Sequence, residues 1–564
     1  MHDTWALANL IYALPYKTSK AIEEAFSEHQ AERIGPVTAS YNASKALSMV
    51  IGRGLVGTIA LVLRKHTPPF IGDTVIVNKK KSILDRPTAG FLRKAEIKEN
   101  NNQPTVLIIG AGIGGLMLGA LLERADIPYA IFERTAEVKP LGSALLIGPN
   151  MIPVFEQLGI AEEFIAMGRP TPKITVNREG GPPLYIVSSL PQVTYTGYYS
   201  YIVSRPLFYD LLLKLVPAEK IHFGKRVLTI SEKEERVKIQ TADNHTYEGD
   251  ILVGADGAYS AVRQRMYESL RQEGRLPKSD QEDLPFHSTC LVGQTTKIDF
   301  ADFPEFQEPL CSFYNTMGKD SPHTWVAFAT AQSTIAYMTI HHLDKQSSKA
   351  AEEHRFRESD NSQWGPHAAQ AMVDETRHFP LAIGTKKMTM GDLYDLTPQG
   401  RISKVMLEEK VFQTWYSGRT VLLGDACHKL NPSGGHGAIT AMHDAIALAN
   451  IIYALPPHAN TNTIHKAFGE YQAERIVPVT ESYNTSKSFS KILERGIIGM
   501  IALFLFKNIP LWMLNMIYKR QILSRPQAGF LPIIPLKGNV PANRSPSTDM
   551  ARAVYNQRVA AVSL

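Results

Sequence analysis

A site that grips a dinucleotide needs backbone amides with no side chain in front of them, and carboxylates placed for sugar hydroxyls. Three glycine-containing stretches of this chain supply both, in the order Gly110-Ala-Gly112-Ile-Gly-Gly115, Gly254-Ala-Asp256-Gly257 and Gly424-Asp425-Ala-Cys-His428. In the first, Gly110 permits a tight turn, Gly112 lets the backbone approach a pyrophosphate, and Gly115 lets the following helix lie close to its strand. A diphosphate seated there meets free amides at the positive end of that helix. Such folds place a carboxylate on ribose hydroxyls about 20 residues downstream; here a second strand, Tyr129 to Phe132, runs into Glu133 and Arg134.

The flanking residues describe the elements that must position these groups. Val106 to Ile109 is a buried-strand run, and Leu116 to Glu123 has the spacing of a helix packed on a sheet. Ile251 to Val253 is another apolar strand, followed by the Asp256-Gly257 turn and a helical start from Ser260 to Arg263. Asp256 can orient backbone amides there and Arg263 can offset phosphate charge; taken alone, the stretch also reads as a plain strand and Asp-Gly turn. The third stretch starts with the strand from Arg419 to Leu423, continues through Pro432, Gly435 and Gly437, and enters a helix from Ala438 to Leu455. Asp425 can accept hydrogen bonds from ribityl hydroxyls, while helix-start amides approach the polar edge of an isoalloxazine, where negative charge gathers on reduction. Together the three describe a flavin site. His428 and His436 invite a metal reading, but no third ligand lies at suitable spacing and no metal is expected. His443 and Asp444 read as packing or capping residues.

With all three stretches present, the chain resembles the single-component FAD-dependent aromatic hydroxylase family, and within it the fungal indole-diterpene and meroterpenoid epoxidase type, over roughly residues 104–535. The resemblance implies an α/β fold: a Rossmann-like FAD-binding domain, a mixed substrate-facing β-sheet domain and a C-terminal helical, partly apolar tail. It places Glu133 on the adenosine ribose, Gly142 on the cofactor channel, Arg205 on FAD, Asp256 at the pyrophosphate region and Asp425 at the ribityl chain. It also implies NADH or NADPH as a transient reductant without a domain of its own. O2 then adds at flavin C(4a) to give a hydroperoxide, and one oxygen atom passes to a small apolar substrate, prenylated or aromatic. Two departures stand out. Relatives usually carry Gly-Gln-Gly followed shortly by Asn where this chain has Gly435-His436-Gly437 and then Ile439-Thr440, and the segment Phe286 to Cys290 lacks a tyrosine that some epoxidases carry near there. An oxidase, dehydrogenase or prenyl reductase on the same cradle, and a degenerate non-catalytic fusion, stay open as alternatives.

Composition bounds the partners. With 564 residues the chain can hold two or three domains and a large core. Its 60 basic residues stand beside 54 acidic ones, without a basic stripe interleaved with aromatics, so nucleic acid is not an expected partner. Cys290, Cys311 and Cys427 lack metal-type spacing and suit reduced thiols in an intracellular setting, and the first residues show no secretory pattern.

Both ends carry the same text. Met1 to Pro15 matches Met442 to Pro456 at 12 of 15 positions, Ala25 to Lys45 matches Ala467 to Lys487 at 16 of 21, and Arg86 to Leu92 echoes Arg525 to Leu531. Copies so far apart cannot share a stacked core, so residues 1–103 read as a partial duplicate plus a polar linker. The monooxygenase core is expected over 104–460, with substrate-sheet segments at about 170–205 and 284–395, a helical tail over 461–535 and a flexible C-terminus over 536–564. Alternation from Trp325 to Thr330 and from Ala336 to His341 suits half-buried strands. Tyr195, Tyr198, Tyr199, Phe313, Tyr314 and Tyr337 are candidates to line an apolar pocket, with ordinary core packing the leading reading for any single one. The runs Ile497 to Phe506 and Ile509 to Tyr518 fall short of the ~20 apolar residues a membrane span needs. With Trp512, Lys519 and Arg520 beside them they fit a helix lying on the cytosolic face of a membrane, or a pair packed on the core.

Overall fold

The computed structural model describes residues 103–137, 144–233, 235–308, 312–343, 366–385, 387–493 and 508–562, with residues 27, 30, 93, 94, 310, 501 and 504 singly. The chain divides into Met1–Arg93 and Lys94–Leu564, and the sheets and site described below belong to the second unit. Gly142, Cys311 and, apart from Ser27 and Gln30, the N-terminal duplicate lie outside the described residues.

The apolar run predicted as a strand forms β1 (Val106–Ile109), followed by α1 (Ile113–Arg124) and β2 (Tyr129–Phe132). Then come α2 (Arg205–Leu213), β3 (Ile251–Gly254) and α3 (Ala261–Gln272). Finally β4 (Thr420–Leu422) leads to α4 (Gly437–Tyr453). The strands form one six-stranded sheet in which β4, β3, β1 and β2 are consecutive neighbours, all parallel, with Ile221–His222 at one edge and Tyr416–Ser417 at the other. All residues of these four central strands are buried, as a parallel sheet covered on both faces requires. The register pairs Gly254 with Ile109 and with Leu422, and Ile109 with Phe132, so four carboxyl ends finish level with one another.

α4 is predominantly apolar and is buried from Ile439 to Tyr453, the pattern of a helix enclosed by protein, and the few polar side chains it buries include Asp444 and Asn450. Gly114 of α1 faces it so closely that an added Cβ would sit 3.5 Å from the Ala441 Cβ and 2.5 Å from Leu423 Cδ2. Beyond α4 lie α5 (Thr461–Leu493), α6 (Leu511–Ile522) and α7 (Pro546–Val562). The C-terminus past residue 536, expected to be flexible, therefore ends in a helix. Ala551 is fully buried and the Arg558 guanidinium donates to Tyr453 O, which pins α7 to α4.

The C-terminal members of the duplicated text also pack on one another. Asp444 of α4 pairs with Arg475 of α5, and the Asn450 amide bonds Gln527 O and Gly529 N of the Arg525–Leu531 stretch. The N-terminal copy keeps Asp3, Asn9, Arg33 and Gly90 at the matching positions. The repeat therefore preserves the residues that bind this module to itself.

The second sheet has seven strands in the order Ser403–Glu408, Phe286–Gln294, Ile335–His342, His323–Ala329, Ser312–Met317, Lys173–Arg178 and Pro183–Ser188. Neighbours are antiparallel except Ser312–Met317 beside Lys173–Arg178. The sheet is mixed, and all of its strands but one fall within 170–205 and 284–395. Ser403–Glu408 lies beyond the predicted boundary, and Tyr201–Ser204 joins Ala144–Ile147 and Gly168–Pro170 in a separate sheet. Helices cover one face: Trp325 is fully enclosed, donates its indole N–H to Pro380 O at 2.8 Å and stacks on Phe379. Tyr337 is packed in the core, with its hydroxyl on Thr397.

Candidate functional site

All three glycine stretches and Glu133 emerge at the level carboxyl ends of β1 to β4, where ligands of open α/β sheets bind. A cavity of about 970 Å3 opens there, lined among others by Gly110, Gly112, Glu133, Arg205, Asp256 and Gly257. Arg134 lies on the same wall. The volume is near the top of the roughly 300–1,000 Å3 range of ligand pockets.

Each wall has a local cause. Gly110 turns with φ +108°, and a Cβ there would strike Ala255 O at 2.4 Å. Gly115 does not line the cavity; a Cβ on it would lie 2.1 Å from Gly110 O, so it serves the close packing of α1 on the turn, as predicted. Gly112 is different, since nothing of the protein lies within 4 Å of where its Cβ would be. Glu133 bridges the loop: Oε2 accepts from Ala111 N at 3.0 Å and Oε1 from Thr135 N at 2.9 Å. Asp256 Oδ2 accepts from Ala261 N at 2.7 Å and Val262 N at 3.3 Å, capping α3. Its other oxygen, Oδ1, is buried without a partner, and burial pushes the carboxyl pKa up despite those amides. An orphaned acceptor and an amide edge cleared of side chains suit the hydroxyls and pyrophosphate of a dinucleotide.

Arg205 begins α2 on the cavity wall; crowding by protein lowers its pKa while Asp425 opposes the shift. Arg263 does something other than neutralise phosphate. It is buried, with Nη1 on Ala426 O at 2.7 Å, Nη2 on Ala258 O at 2.6 Å and the cation over the Phe412 ring. It thus ties the Asp256 turn to the Gly424 turn.

The third stretch approaches from the side. Asp425, Pro432, Gly435 and Gly437 are not part of the described cavity lining. Asp425 Oδ2 is held by Lys429 Nζ at 2.5 Å, and that carboxylate raises the Lys429 pKa. The Pro432–Gly437 loop faces the strand Ala144–Ile147, with Leu146 3.8 Å from where a Gly435 Cβ would be. Beneath this loop lies a group that sequence reasoning assigned to packing. Asp444 is fully buried, and its Oδ2 meets His428 Nε2 at 2.5 Å and Gly424 N at 3.2 Å. Its Oδ1 meets Arg475 Nε at 2.8 Å. Burial opposes ionisation, yet His428 and Arg475 outweigh it and hold the carboxyl well below the usual carboxylate range. The available signal was the recurrence of both Asp444 and Arg475 in the N-terminal copy, as Asp3 and Arg33.

The family model described as "FAD binding domain" matches residues 103–477. The chain belongs to that family. Relatives include the FAD-dependent monooxygenase paxM of Penicillium paxilli, 28% identical over 70% of this chain and 80% of that protein. Another is the FAD-dependent monooxygenase atmM of Aspergillus flavus, 25% identical over 76% and 87%. Among solved structures, Klebsiella pneumoniae HpxO complexed with FAD and uric acid superposes with a TM-score of 0.59 at 19% identity, covering 74% of this chain and 97% of that one. The 2,6-dihydroxypyridine-3-hydroxylase of Arthrobacter nicotinovorans does so at 0.53 and 15%, covering 70% and 93%. These likenesses bear out the predicted α/β flavoprotein fold, and the family and its relatives make the chain an FAD-dependent monooxygenase.

Proposed function

We propose that this FAD-dependent monooxygenase takes electrons from NADH or NADPH and inserts one atom of O2 into a small apolar substrate, prenylated or aromatic. The observation that carries the reading is the cavity at the level strand ends, where the orphaned Asp256 Oδ1 and the open Gly112 edge fit a dinucleotide. FAD held there would supply the redox and oxygen-transfer chemistry, with NAD(P)H as the electron source and O2 as the oxygen donor. The chain's own residues do the rest. In this reading Gly110, Gly112 and the start of α1 hold the pyrophosphate, Glu133 and Arg134 the adenosine ribose, and Arg205, Asp256 and Gly257 the span beside it. Asp425 exchanges its Lys429 partner for a ribityl hydroxyl, and Pro432, Gly435 and Gly437 present backbone to the flavin's polar edge. The seven-stranded sheet walls off water and aims the substrate.

The test is oxygen accounting. With 18O2, one labelled atom should enter product for each NAD(P)H oxidised; NAD(P)H oxidation that yields only hydrogen peroxide across apolar prenylated and aromatic candidates would favour the oxidase alternative.

α6 carries the tail's contact with membranes in this proposal. No helix among the described residues is long and apolar enough to cross a bilayer. Trp512 and Met516 nonetheless stand 68% and 55% exposed on α6, near Lys519 and Arg520. Trp512→Ser with Met516→Ser should shift the protein from co-sedimenting with anionic vesicles to the supernatant; equal partitioning of parent and variant would remove the idea.

A further inference from the structure

Three potential ligand atoms converge on the seven-stranded sheet, and none belongs to a residue lining the flavin cavity. His323 and His341 are direct partners across the antiparallel pair His323–Ala329 and Ile335–His342, so both imidazoles leave the same face. Their ring centroids lie 4.3 Å apart. Glu375, from the helix Pro366–Thr376 that covers this face, brings Oε1 to 3.5 Å from His323 Nε2. One ligand atom from each of the three residues lies within 4.8 Å of the others.

The decisive atom is His323 Nε2. The residue is only 4% exposed, and this nitrogen is buried with no hydrogen-bond partner. Ser321 Oγ fixes the ring from behind, 2.6 Å from Nδ1, in the manner of the outer partners that orient metal-binding imidazoles. Phe379 closes one side against the His323 ring, while Glu375 is half-exposed and leaves a path from solvent. A buried imidazole nitrogen held beside a carboxylate, yet outside hydrogen-bond geometry, is unfavourable for the protein alone. A cation between them removes the conflict.

We propose that His323, His341 and Glu375 form a binding site for a divalent transition-metal ion of the zinc type. Two imidazoles and one carboxylate suit that class, with water completing the coordination. The ion would clamp the covering helix to the sheet strands. The sequence did not suggest it because the three ligands lie on separate elements, without a short spacing motif.

The test uses full-length protein freed of metal by a chelator that is then removed, titrated with zinc chloride against a chromophoric competitor. One zinc per chain is expected, with at least a tenfold weaker affinity in His341→Ala and in Glu375→Gln at unchanged FAD content. Glu375 is half-exposed, so its glutamine variant should fold, and zinc should raise the thermal midpoint of the parent protein but not of Glu375→Gln. Absence of zinc uptake by the parent, or uptake unchanged in both variants, overturns the proposal.

Discussion

Gly112→Leu should yield a protein that folds as the parent does but no longer retains FAD. The backbone at Gly112 is ordinary, with φ −76°, and an added Cβ meets no protein atom within 4 Å. The side chain would project only into the volume assigned to the pyrophosphate, so stability should stay within about 0.5 kcal/mol, as for an exposed site. FAD affinity should fall by about 100-fold or more, which corresponds to ~2.8 kcal/mol. Gly110→Ala and Gly115→Ala should behave differently, because their Cβ atoms would strike Ala255 O at 2.4 Å and Gly110 O at 2.1 Å. Those variants should lose fold stability together with cofactor. Urea unfolding of the apo-proteins and FAD titration separate the two classes; a Gly112→Leu protein with parental affinity would place the pyrophosphate elsewhere.

Asp444→Asn should be the most damaging conservative change. Asparagine keeps the shape but leaves Arg475 buried without its counter-charge, and removing one member of a buried pair costs about 3–5 kcal/mol. Gly424 N loses its acceptor as well, so the Asp425 turn should loosen and FAD retention should drop with stability. The pH dependence follows from the depressed carboxyl. Its folded pKa lies below the unfolded value, so the stabilisation is complete above about pH 4. It is lost as pH falls through the folded value, about 2. Denaturant midpoints across acid pH should show that decline in the parent protein and a weaker one in Asp444→Asn; indistinguishable midpoints at neutral pH would refute the role given to this carboxylate.

The parts of the fold legible in the sequence were those whose physics is local. β1, α1 and β2 follow from a four-residue apolar run, a glycine turn and a second run, and Gly110 and Gly115 occupy the conformation and the close contact their spacing implied. Where the outcome depended on groups distant in sequence, reading failed. Arg263 looks like a phosphate cation beside Asp256, but the carbonyl it serves, Ala426 O, arrives from the turn after β4, 163 residues later. Asp444 looks like one of a few polar residues in a largely apolar helix, and its partners His428 and Arg475 come from the short strand His428–Lys429 before it and a helix after it. The C-terminal helix α7 was missed because its contact surface on α4, around Asn450 and Tyr453, exists only once the chain has folded back. Asp425 shows the reverse case: its place at a strand end was readable, but not its ion pair with Lys429.

The most direct measurement of the central claim is the flavin content of the full-length protein. Purified and titrated with FAD, it should bind one equivalent per chain, quench the flavin fluorescence and acquire the absorption bands of protein-bound flavin, with binding weakened in Asp256→Ala. A well-folded chain that takes up no FAD, or one that binds it equally well without the Asp256 carboxylate, would contradict the assignment of this cavity.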